Sequence, residues 1–126
     1  MENLVISPSK STLGINFDVD SGILDMNGSS YPENAMEFFQ PLYDWLKAYL
    51  DTKPHEIVLN LKINYLNTSS TKCVLDLMEI LDNYYTDNSN IKIHWFYEED
   101  DEDILELGQD IGDDLKLPIK LISFTE

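Results

Sequence analysis

Thr68, Ser69, Ser70 and Thr71 stand in an unbroken row followed by Lys72, the densest run of modifiable side chains in the sequence. Hydroxyls at the start of a helix can cap its free N–H groups. They can also take a phosphate, which would sit against unpaired N–H groups at the positive end of the helix dipole without unfolding the domain. Spacing leaves both uses open. His55 beside Pro54 and His94 beside Trp95 have no partner at metal-ligand spacing, and Cys73 adjoins Val74 and Leu75, so all three read as structural groups. Asp18, Asp20 and Gly22 resemble the opening of a calcium loop. The glycine is one place early, however, and Ser29 stands where the bidentate Glu belongs, which leaves a hairpin turn. The acidic run Glu98, Glu99, Asp100, Asp101, Glu102, Asp103 does not converge on one ion, because consecutive helical residues point in different directions. Its carboxylates suit a solvated helix start, where they complement the dipole.

The hydroxyl row needs a strand before it and a helix after it. Glu56 to Ile63 is rich in branched apolar residues and reads as a central strand, with a loop over Asn64 to Ser69. Val74, Leu77, Met78, Leu81 and Tyr84 recur at helical spacing, which predicts a helix ending near Asp87-Asn88-Ser89-Asn90. Upstream, Leu13 to Val19 and Gly22 to Met26 alternate as a hairpin. From Ala35 the apolar residues follow one helical face to Leu50, with Pro41 predicting a kink or a divided helix. Ser30 with Glu33 and Asn34 with Glu37 compete to cap it. A strand over Ile91 to Tyr97, a helix opened by the acidic run and a last strand over Pro118 to Phe124 complete the order ββαβαβαβ. Strands alternating with helices imply parallel pairs, hence an α/β sandwich whose mixed sheet has an N-terminal hairpin and three main helices.

Eight Lys plus Arg against 24 Asp plus Glu give a net charge of −16, which opposes binding to nucleic acid or anionic membranes. At 43% hydrophobic the chain is too apolar for a disordered acidic tail, so residues 1–126 are expected to form a single domain, with 1–11 as an N-terminal arm. No apolar run approaches the roughly 20 residues of a membrane span. The N-terminus lacks the cationic start of a signal peptide, and a soluble, cytoplasmic protein is expected.

Several motifs resemble the SiaC family of bacterial regulatory phosphoproteins. They are Gly28-Ser-Ser-Tyr-Pro-Glu-Asn-Ala35, Phe38-Phe39, Pro41, Trp45-Leu46, Tyr65-Leu-Asn-Thr-Ser-Ser70 with Lys72, and an Ile-His-Trp-Phe-Tyr strand followed by acidic residues. The resemblance implies a STAS-like fold, as in anti-sigma-factor antagonists, and a non-catalytic switch without cofactor or metal. It makes Thr68 the threonine phosphorylated by a partner kinase and dephosphorylated by a PP2C-type phosphatase. It further implies that the unphosphorylated form binds a diguanylate cyclase and so controls cyclic di-GMP and biofilm formation. Tyr65, Asn67, Thr68, Ser69, Ser70 and Lys72 are the expected partner contacts, with Tyr31, Pro32, Glu33 and Asn34 as the second motif. Ser69 and Ser70 remain rival phosphosites by spacing. Charge alone suggests an alternative, an acidic decoy for a basic protein surface.

Overall fold

Along the central strand Ile57, Leu59, Leu61 and Ile63 are buried while Asn60 and Lys62 point the other way, the period-two pattern of a sheet with one covered face. A computed structural model describes residues 1–86 and 90–125. Its elements are β1 (Leu4–Ile6), β2 (Gly14–Phe17), β3 (Ile23–Ser30), α1 (Ala35–Asp51), β4 (Ile57–Leu66), α2 (Thr68–Tyr84), β5 (Ile91–Glu98), α3 (Glu102–Asp113) and β6 (Ile119–Phe124). The strands form one mixed sheet in the order β1-β2-β3-β4-β5-β6. Pairs β1–β2 and β2–β3 are antiparallel, and the rest are parallel. Because β3 to β6 are laid down in sequence order, crossovers of one hand place all three helices on the same face.

The hairpin and the strand–helix alternation are as expected, and a short strand precedes them. Residues 1–11 are therefore not a free arm: β1 pairs with β2, Asn3 Oδ1 accepts from Val19 N at 2.9 Å, and Trp45 Nε1 donates to Glu2 O at 2.9 Å. A three-residue edge strand presents too short a pattern to register as a period. At the hairpin, Asp18 Oδ1 accepts from the N–H groups of Asp20 (2.9 Å) and Ser21 (3.2 Å), so its carboxylate closes a turn. Gly22 follows at φ +74°, where a Cβ would lie 2.0 Å from Glu56 O.

Helix α1 starts at Asn34, whose Oδ1 accepts from Glu37 N at 3.2 Å, which decides between the two competing caps. It runs through Pro41 as one element instead of two. Phe39, Leu42, Tyr43 and Leu46, buried on both sides of the proline, hold the helix together against a cost of about 3 kcal/mol, and Pro41 itself is exposed. The expected loop over Asn64 to Ser69 is far shorter: β4 continues to Leu66 and α2 begins at Thr68. Helix α2 ends at Tyr84, and Asp87-Asn88-Ser89 lie outside the described residues.

Two polar anchors tie the last third of the chain to the core. Trp95, fully buried, donates from Nε1 to Ile104 O at 2.9 Å, and Gly108 approaches its ring so closely that a Cβ there would lie 2.5 Å from Cδ1. Asp82 Oδ1 accepts from Lys116 N at 2.9 Å and Leu117 N at 2.8 Å, which fixes the turn between α3 and β6.

Candidate functional site

Parallel pairing of β3 with β4 brings the two separated motifs to one corner. Ser29 pairs with Tyr65 and Ser30 with Leu66, after a register shift between Gly28 and Ser29 that leaves one extra residue on β4. Such a bulge re-aims the following side chain. Asn64 and Tyr65 are accordingly both exposed, and the Tyr65 ring meets Tyr31 edge-on with centroids 6.1 Å apart. Backbone bonds lock the corner: Asn67 N donates to Ser30 O at 3.0 Å and Tyr31 N to Ser11 O at 2.9 Å.

The cap of α2 is Asn67, not one of the hydroxyls. Its Oδ1 accepts from Ser70 N at 2.8 Å, and its carbonyl accepts from Thr71 N and from Thr71 Oγ1, both at 2.9 Å. An Asn at this position relieves the threonines and serines of capping and separates their fates. Thr68, the first helical residue, and Ser69 are exposed. Ser70 points inward at 0% exposure, with its Oγ 2.7 Å from the equally buried Oγ of Ser30. Read from sequence as a rival phosphosite and partner contact, Ser70 is an internal hydroxyl in this fold. Periodicity gave no warning of this, because its partner lies 40 residues away across a parallel register.

Between the starts of α1 and α2 runs a groove of about 450 Å³, lined by Glu33, Asn34, Met36, Thr68, Ser69, Lys72, Cys73 and Asp76 among others. Lys72 is one turn on from Thr68 and reaches Asp76 at 3.4 Å. Met36, 49% exposed, lines the groove, while Tyr65 (53% exposed) and Tyr31 (40%) stand in solvent as a pair at the β3–β4 corner. Met36 was missed in the sequence because it falls off the apolar stripe of α1, and a single exposed apolar residue is no signal until the fold sets it in a groove. Under the groove Cys73 is buried with its thiol 3.8 Å from Met36 Sδ, and Tyr43 donates to Cys73 O at 2.8 Å. Burial, and then the neighbouring Cys73, push the Tyr43 hydroxyl well above its usual pKa, so it stays a donor.

The remaining titratable residues gather elsewhere. His55 is exposed after α1, and His94 bonds Asn60 on the helix-free face of the sheet. The acidic run is divided: Glu98 ends β5, Asp101 caps α3 by accepting from Ile104 N at 3.1 Å, and Glu102 and Asp103 occupy the first turn. No group of three His, Cys, Asp or Glu among the described residues is placed to hold a metal.

Comparison with known proteins agrees with this geometry. The family model described as "SiaC family regulatory phosphoprotein" matches residues 6–124. An uncharacterised protein of Pseudomonas aeruginosa (strain UCBPP-PA14) is 32% identical over 126 residues, 100% of both chains. SiaC of P. aeruginosa, solved as the activator in complex with the diguanylate cyclase SiaD, superposes with a TM-score of 0.91 at 31% identity, covering 96% of this chain and 99% of that one. The apo form of that SiaC gives 0.89 at 32% identity, over 97% and 99%. A family match over nearly the whole chain, with both motifs meeting at one corner of the same fold, places this protein in the SiaC family of regulatory phosphoproteins.

Proposed function

We propose that this chain is a phospho-switch that docks on a protein partner through the Thr68 corner and is released when Thr68 is phosphorylated. The observation that carries the reading is the exposure of Thr68 at the first position of α2, within a groove that exposed Met36 also lines. Desolvating Met36 together with the exposed Tyr31–Tyr65 pair at the β3–β4 corner supplies docking energy, and a partner that covers the groove closes over the threonine hydroxyl. A phosphate brings about two negative charges. Within the groove they meet the carboxylates of Glu33 and Asp76, with Lys72 the one cation among the lining residues. Lys72 is already shared with Asp76, so the charge is not absorbed inside the chain and falls on the interface. The switch then acts by blocking a surface, with the fold intact.

Similarity to an activator solved with its diguanylate cyclase makes such a cyclase the partner of choice for this chain. A kinase related to anti-sigma factors and a PP2C-type phosphatase would set the state of Thr68 in the cytoplasm. Tyr31, Pro32, Glu33, Asn34, Tyr65, Asn67, Ser69 and Lys72 are the docking residues of this reading. Peptide mapping of the protein isolated from its own cells, beside a Thr68→Ala version, tests it. Phosphate on Thr68 that disappears in the variant without moving to Ser69 is expected. Absence of phosphate across growth phases, or phosphate on Ser69 alone, overturns the assignment.

A further inference from the structure

The helices cover one face of the sheet and leave the other open, although parallel strands are usually covered on both. On the open face the register sets Asp25, Asn60, His94 and Lys120 in one row across four strands. Asn60 Nδ2 donates to Asp25 Oδ1 at 3.0 Å, which leaves Asn60 Oδ1 to accept from His94 Nδ1 at 3.1 Å. That chain of bonds fixes the imidazole on the open face. Beside it, at the start of β5 and β6, lies a cleft of about 370 Å³ lined by Lys92, Ile93, His94, Pro118, Ile119 and Lys120, with no carboxylate among its lining residues. Lys92 reaches Glu56 only at 3.9 Å, with both side chains largely in solvent. In a chain where acids outnumber bases three to one, this is a local concentration of positive charge.

We propose that this cleft is a second docking site, occupied by an acidic segment of a protein partner. Lys92 and Lys120 supply the ammonium donors that match carboxylates on a short chain. A nucleic acid would carry its charge past the cleft and onto the −16 surface around it. A second copy fits worse, because it brings another surface of net charge −16 against this one. The cleft lies at the opposite end of the parallel strands from Thr68, about 25 Å away at roughly 3.3 Å per residue. It is therefore free when the phosphorylatable corner is engaged, and the inference does not rest on phosphorylation.

The test uses the full chain, fluorescein-labelled octaglutamate as probe, anisotropy at about 0.15 M salt where the Debye length is about 8 Å, and amide shift mapping. A Lys92→Gln/Lys120→Gln variant is compared with Lys10→Gln/Lys47→Gln, each two charges more negative than wild type. Saturable binding is expected, with shifts centred on residues 92–94 and 118–120, at least tenfold weaker in the first variant and changed less than twofold in the second. Equal loss in both variants, shifts centred elsewhere or no saturation overturns the site. Inorganic phosphate saturating the cleft more tightly than the peptide would make it a phosphate site. Salt-sensitive self-association lost in the first variant would assign the face to a second copy; either outcome also refutes the proposal.

Discussion

Replacing Thr68 by Glu should separate stability from binding. Thr68 is exposed and heads α2, so a carboxylate there gains from the helix dipole, about 0.3 to 1 kcal/mol at a surface site. Repulsion from Glu33 and Asp76 in the same groove offsets part of this, and salt screens both effects. The net is between no change and about 1 kcal/mol of stabilisation, a rise in Tm of at most roughly 5 °C for a domain of this size. In the docked complex the same carboxylate is desolvated against a groove whose one cation is committed to Asp76, a loss of about 2 to 4 kcal/mol, or roughly 30- to 700-fold in Kd. Thermal melts and calorimetric titration against the proposed cyclase partner measure the two quantities, with Thr68→Ala expected within about 0.5 kcal/mol of wild type in stability. A Thr68→Glu protein that melts several degrees lower would show a switch that works by unfolding. One that is stable and binds normally would remove Thr68 from the interface.

Ser70→Ala should lower stability by about 1 to 3 kcal/mol, because it strands the buried Ser30 hydroxyl; adding Ser30→Ala should recover part of the loss in denaturant titrations. Asp82→Ala removes the acceptor of two backbone N–H groups, and a loss of about 2 to 4 kcal/mol is expected from chemical unfolding, with the Thr68 corner still competent to bind. In Gly108→Ala the new methyl lies 2.5 Å from Trp95 Cδ1, so the bond to Ile104 must shift; a cost of about 1 to 3 kcal/mol and a change in tryptophan emission follow. Tyr43 has a folded pKa raised above its ordinary value of 10.0, so its contribution is complete below pH 10 and fades as pH climbs toward the folded value. Alkaline unfolding followed by circular dichroism should begin above pH 10 and be less steep in Tyr43→Phe.

Periodicity and composition determined much of this protein unaided. The apolar spacing of α1, the branched run of β4 and the strand–helix alternation follow from local patterns that burial on one face imposes wherever the chain is placed. The hydroxyl row and its place between strand and helix were legible for the same reason. Local pattern does not carry register. Which hydroxyl faces out depended on Asn67 taking the cap and on Ser30 arriving beside Ser70 through parallel pairing, and the short β1 existed only because β2 offered it an edge. Tyr31 and Tyr65 became one surface through a bulge that no composition announces. Sequence thus fixed the chemistry each segment carries, since side-chain type and spacing are local, while the fold alone decided which groups meet and which are buried, since contacts between distant segments depend on how strands align.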